Sequence, residues 1–192
     1  MRWFRRAAAE RRKVFVSCGR DEEVRERMFD LLRALDLKPM EWEPMVAVSR
    51  SAAPFLGDVV RRAPLQAQAT IVLLTPDDIV HLHPRFHHEG VATYKIRPAC
   101  QPRPNVLIEL GSALMAAPGR TIVVEIGNLR PIADLGGRNV IRFDGSPATV
   151  GKLVERLKSA GCAVDDQGSD WRSPHRFEGL DAYRRGPLAD GV

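Results

Sequence analysis

Apolar residues along this chain fall into two rhythms. Short runs rich in β-branched and aromatic residues predict strands over 13–17, 37–42, 69–75, 121–126 and 139–143. The run 69–75 is apolar almost without interruption, as strands buried on both faces are in parallel sheets. Elsewhere the period is helical. Val24, Met28, Leu31, Leu32 and Leu35 share one face of a helix that begins at Asp21 and continues to about 36. Asp21 is a good N-cap, and Glu22 and Glu23 suit the positive end of the helix. Helices are also predicted over 53–63, over 105–117 behind Pro104, and over 147–160 with Gly161 closing it. Pro39 weakens the strand 37–42 or makes it an edge strand. Residues 43–51 read as a loop. After Pro76 the chain reads as irregular to about 103, too long for an ordinary connection and expected to be a functional or mobile loop.

Strands alternating with helices imply an α/β fold with right-handed crossovers. Five strands suit a three-layer, flavodoxin-like parallel sheet of order 2-1-3-4-5. Beyond 161 the chain turns polar and loses its periodicity, with Gly168, Gly179, Gly186 and Gly191. That segment is expected to be a flexible or loosely docked tail. The expected organisation is a basic N-terminal arm over 1–12, one domain over 13–164 and a polar C-terminal tail over 165–192.

Charge changes this picture in one respect. A net charge of +5 and a pI of about 9.5 invite a nucleic-acid or membrane partner. The excess sits at one end. Arg2, Arg5, Arg6, Arg11, Arg12 and Lys13 against Glu10 account for all of it. The body is therefore neutral, and neither nucleic acid nor membrane is expected as its partner. Cys18, Cys100 and Cys162 are scattered and odd in number, which argues against a disulfide framework and for a reducing compartment. The basic head lacks the apolar core of a secretory signal, and no apolar run approaches the roughly 18 residues of a membrane span. A cytoplasmic location is expected.

Ligands of such sheets bind beyond the carboxyl ends of the strands, where the strand order reverses. Here that is between the first and third strands, whose exits are Ser17 to Asp21 and Thr75 to Asp78. Gly19 would let backbone approach a ligand. Arg20 and the helix opening near Asp21 suit a phosphate, although one Gly and one Arg suit a plain turn as well. The helix after Pro104 opens at the same edge. Asn105, Glu109 and Ser112 share one of its faces, and Glu109 stands among apolar neighbours. It is there either as a solvated helix glutamate or as a group placed for chemistry. His81, His83, His87, His88 and Glu89 form a loose cluster without the spacing of a metal site, and no metal is expected.

Four stretches taken together resemble the bacterial TIR-like family, described as predicted nucleotide-binding proteins with a TIR-like domain. They are Val14-Phe-Val-Ser-Cys-Gly-Arg-Asp21, Val72-Leu-Leu-Thr-Pro-Asp-Asp78, Arg103-Pro-Asn-Val-Leu-Ile-Glu-Leu-Gly111 and Leu153-Val-Glu-Arg-Leu-Lys-Ser-Ala-Gly161. Order and spacing agree over about 13–164. The sequence departs from the family pattern at Cys18, where histidine is common, at Pro104, where glutamine is common, and at Ile108, where an aromatic is usual.

The resemblance implies cleavage of the nicotinamide–ribose bond of NAD, as substrate and with no other cofactor. It also implies a role as an effector of anti-phage defence, with activation by self-assembly or by a separate partner protein. The family's essential glutamate falls on Glu109. One carboxylate suffices for this chemistry, because nicotinamide leaves as a neutral base and needs no acid, unlike the alcohol released by an ordinary glycosidase. Water attack gives ADP-ribose, and internal attack gives a cyclic product. Ser17, Gly19, Arg20, Thr75 and Asn105 are the remaining polar contacts expected for NAD. Asp77 or Asp78 is expected to face ribose and Trp42 to stack on a flat ring. Two rival readings are a nucleoside 2-deoxyribosyltransferase-like enzyme, which shares the Asn-Val-x-x-Glu-Leu-Gly-like helix, and a non-catalytic TIR-like nucleotide-binding or assembly scaffold.

Overall fold

The structure, a computed structural model, describes residues 10–40 and 65–187. Most of the basic arm, Trp42, the loop 43–51, the helix expected over 53–63 and the last five residues lie outside the described residues.

Five parallel strands make the central sheet, in the order β2-β1-β3-β6-β7. They are β1 (Lys13–Ser17), β2 (Lys38–Met40), β3 (Ala69–Leu74), β6 (Thr121–Ile126) and β7 (Ile141–Phe143). In chain order this is the expected 2-1-3-4-5 arrangement. β3 is central and buried at every position, which is why its sequence shows no alternation. Its register sets Ile71 opposite Ile122 and Val72 opposite Val123. On the other side it sets Ser17 of β1 opposite Val72. Pro39 lies in β2 opposite Val14. Because β2 ends the sheet, the missing N–H leaves no gap in the ladder.

Two helices, α1 (Glu22–Ala34) and α4 (Pro147–Ser159), pack on one face of the sheet. Val24, Met28, Leu31 and Leu32 of α1 and Leu153, Val154 and Leu157 of α4 enter one core with Val14, Ile71 and Val124. α3 (Pro104–Ala116) packs on the other face, where Val106 and Leu110 meet Val72, Leu74 and Val123. The ends of these helices follow from single residues. Asp21 accepts the Val24 N–H at 3.0 Å. Ser146 accepts the Thr149 N–H, and Pro104 takes the first turn of α3.

Two expectations need correction. The stretch 76–103 is not irregular throughout. It folds into an antiparallel ribbon of β4 (Asp78–Val80) and β5 (Ala99–Gln101), with the four-residue helix α2 (Thr93–Ile96) between them. The segment after α4 is not a loosely docked tail. It forms three short 3-10 turns, Asp170–Arg172, Pro174–Phe177 and Asp181–Tyr183. Trp171, Phe177, Leu180 and Ala182 are buried in the same core as α1 and α4. Phe177 meets Phe143 of β7 edge-on, with ring centres 4.7 Å apart. Among the described residues no helix is long and apolar enough to cross a membrane.

Candidate active site

The strand order reverses between β1 and β3, and at the carboxyl ends of these two strands Ser17 meets Glu109 and the Arg20 N–H meets Asp77. Ser17 ends β1 with only 2% of its surface exposed. Its hydroxyl donates a hydrogen bond to Glu109 Oε2 at 2.5 Å, across 92 positions of sequence. Glu109 stands on the second turn of α3 and is half-buried. Burial raises its carboxyl above the ordinary range, while hydrogen bonds from Ser17 and from Asn105, one helical turn earlier, pull it back down. The result is a desolvated carboxylate with fixed donors, at the rim of the sheet.

Gly19 has a different task from the one expected. A Cβ there would collide with the Asp77 carboxylate and would lie 3.1 Å from Arg103 Cγ. The close approach at Gly19 is thus made by Asp77. The Asp77 Oδ2 atom accepts the Arg20 N–H at 3.1 Å, and the Asp77 side chain is only 4% exposed. Burial raises this carboxyl, and the Arg20 N–H bond opposes the rise. Asp77 therefore braces the turn after β1 and does not face an open crevice. The positive end of α1 already meets two carboxylates, those of Asp21 and Asp77, which compete with any phosphate placed there. Thr75 is wholly buried and lies beneath the site. Asp78 is engaged by Arg103, whose Nη1 lies 2.8 Å from Asp78 Oδ1. That pair ties the start of the β4–β5 ribbon to the residue that precedes α3. Arg20 and Asn105 are exposed; Arg20 can reach a ligand from the rim, while the Asn105 side chain is engaged with Glu109. Trp42 lies outside the described residues.

Three residues at this edge were not read from the sequence as site residues. Cys18 sits half-buried between Arg25, Asp77, Glu109 and Asp21, and burial pushes its thiol up to about 11. At that value it is a poor nucleophile at neutral pH. Arg103 was visible only as part of a motif. Arg185 arrives from the far end of the chain and approaches Asp21 at 3.0 Å and Asp77 at 4.0 Å. No local pattern around Arg185 signals this.

The histidines of the excursion bond to nearby backbone. His87 Nε2 lies 2.9 Å from the Leu82 carbonyl oxygen, and His83 Nδ1 accepts the Arg85 N–H. Among the described residues no three His, Cys, Asp or Glu side chains group as metal ligands.

The five-stranded parallel sheet, with its order reversing between β1 and β3, is a TIR-like α/β arrangement. The family model described as "CAP12/Pycsar effector protein, TIR domain" matches residues 13–145. The chain belongs to that family of TIR-domain effectors. No curated protein matches it closely enough to count as a relative.

Proposed function

We propose that the chain is an NAD glycohydrolase that acts as an effector in bacterial anti-phage defence, with Glu109 as its catalytic residue. The observation that carries this reading is the half-buried Glu109 carboxylate, held by Ser17 at 2.5 Å at the rim of the sheet. Membership of an effector TIR-domain family supports it. In this mechanism NAD enters with its nicotinamide riboside over Glu109. The cationic pyridinium departs as neutral nicotinamide, and the carboxylate stabilises the positive charge that develops on the ribose. Ser17 and Asn105 hold the carboxylate in one rotamer, so little reorganisation is needed in the transition state. Arg20 supplies a cation for the diphosphate from the rim. Water then attacks the ribose carbon to give ADP-ribose.

The test is chromatography of the products formed from NAD by the wild-type chain and by E109Q, with and without crowding agents that promote assembly. E109Q is expected to lose on the order of 10³-fold in rate, the scale of losing one electrostatic stabiliser in a preorganised site. Undiminished cleavage by E109Q overturns the assignment. Deoxynucleosides run in parallel test the deoxyribosyltransferase reading, which requires base exchange where this one requires nicotinamide release.

A scaffold reading is favoured by one observation. Ile108 and Met115, seven residues apart on α3, are 68% and 87% exposed. Two exposed apolar side chains on the helix that carries Glu109 are candidates for a contact in self-assembly or with an activating partner protein. Such a contact is compatible with catalysis, and I108D separates the two. Loss of assembly with loss of cleavage makes the contact part of activation. Loss of assembly with no cleavage in the parent chain leaves a scaffold.

A further inference from the structure

Residues 170–187 run across the carboxyl edge of the sheet from β7 towards β1, and the glycines beneath them record the path. Gly145, just past β7, has φ +75°, and a Cβ there would lie 2.6 Å from both Phe177 Cβ and Tyr183 Oη. Gly127, directly after β6, has φ +76°, and the Ala182 carbonyl fills the place of its Cβ. Past Ala182 the chain reaches the switch point. Arg185 Nε and Nη2 grip Asp181 Oδ2 one turn back, at 2.9 and 2.8 Å. The remaining nitrogen, Nη1, points inward to Asp21 Oδ2 at 3.0 Å and Asp77 Oδ1 at 4.0 Å. The Asp21 and Asp77 side chains are only 5% and 4% exposed. Two carboxylates that close, cut off from water, repel each other and any anion approaching them unless a cation sits with them. Around them stand the Arg20 N–H on Asp77, the Val24 N–H on Asp21, and Cys18 with Arg25 beyond it. Arg185 is the guanidinium in contact with both carboxylates. It lies outside the residues matched by the family model, which end at 145.

We propose that Arg185 is a positioning residue of the candidate site: delivered by the C-terminal strap, it neutralises Asp21 and Asp77 and fixes the turn after β1, so that the crevice beside Glu109 accepts a dinucleotide diphosphate. The choice of diphosphate rests on the NAD reading above. The charge argument does not. With Arg185 in place the two carboxylates act as structural braces. Without it two buried, uncompensated carboxylates stand behind the turn after β1, and their field weakens the hold of the crevice on an anionic substrate.

The variants R185M and R185K decide the matter, with R185Q in place of R185M should the latter fail to fold. In steady-state NAD cleavage R185M is expected to raise KM roughly tenfold while kcat stays within about threefold, because the loss is one of charge complementarity at binding. R185K, which keeps the charge, recovers most of the KM. A strap that is merely structural instead lowers kcat through the folded fraction and leaves KM unchanged, and that result overturns the proposal. A second readout needs no turnover. Carbon-13 NMR titration of the Asp77 carboxyl is expected to move to higher pH in R185M and to return in R185K. If the parent chain does not cleave NAD, the functional reading falls and this titration alone decides. An Asp77 titration identical in the three proteins overturns the role of Arg185.

Discussion

At the scale of single residues, the site is organised by what each carboxylate touches. Glu109 is raised by burial and lowered by Ser17 and Asn105. Ser17 donates to the charged form, so S17A removes a bond that favours ionisation. The acid limb of the NAD cleavage profile should then move to higher pH, with a rate near neutrality lower by roughly tenfold, the scale of one hydrogen bond to a charged group. A limb that stays in place in S17A excludes the ionised Glu109 as the acting form. The same burial makes a stability prediction of opposite sense. A carboxyl raised in the folded state contributes stability below its ordinary value of 4.5 and loses that contribution as pH rises through the folded value. E109Q should therefore be more stable than the parent near pH 7, by on the order of 1 kcal/mol. The gain should vanish in melts below pH 4.5. A variant that is both more stable and inactive is what a group placed for chemistry predicts. A neutral change in both would mark an ordinary surface glutamate.

At the scale of elements, much was legible because local and tertiary preferences agree. The unbroken apolar run in β3 announced a central strand, Pro39 announced an edge, and Asp21 and Pro104 opened the helices that the structure shows. The start of α4 carries a further device. Asp144 accepts the Ser146 N–H at 2.9 Å and the Thr149 hydroxyl at 2.7 Å. Hydrogen bonds from the Ser146 side chain and backbone, and then from Thr149, hold its carboxyl down at about 2. D144A should cost about 1 kcal/mol at neutral pH, the scale of such surface hydrogen bonds. Because the folded value lies below the ordinary 3.8, this contribution is present above 3.8 and is lost as pH falls towards about 2. Urea melts of both proteins at pH 7 and near pH 2 check it, and a difference that persists at the acid end contradicts it. Other elements were not legible, for physical reasons. β4 and β5 are three residues each, too short to show a period. The task of Gly19 depends on Asp77, 58 positions away, and no local pattern predicts it. Glu109 has a helical environment that suits a solvated glutamate better than a catalytic one, and only the match of several motifs together pointed to it.

At the scale of the whole molecule, residues 170–183 are part of the fold. Residues 165–192 read as a polar tail because their apolar side chains are single and spaced by 3-10 turns, without the period of a helix or a strand. Yet Trp171, Phe177, Leu180 and Ala182 complete the core over α1 and α4. Phe177 alone is 2% exposed, and removing a buried phenyl costs about 3–5 kcal/mol. Domains of this size are stable by only about 5–15 kcal/mol. A chain cut after residue 164 loses Trp171, Phe177 and Leu180 together and leaves α1, α4 and β7 with an open apolar face. It is expected to lose cooperative thermal unfolding and to bind a hydrophobic dye, in the manner of a loosened core. F177A in the full chain is the graded control. It should unfold cooperatively at a lower temperature, because Phe177 packs on Phe143 of β7 and its loss leaves the rest of the core in place. A truncated chain that melts as sharply as the full one would return the segment to the status of a tail. It would also remove the strap as the means by which Arg185 reaches Asp21 and Asp77.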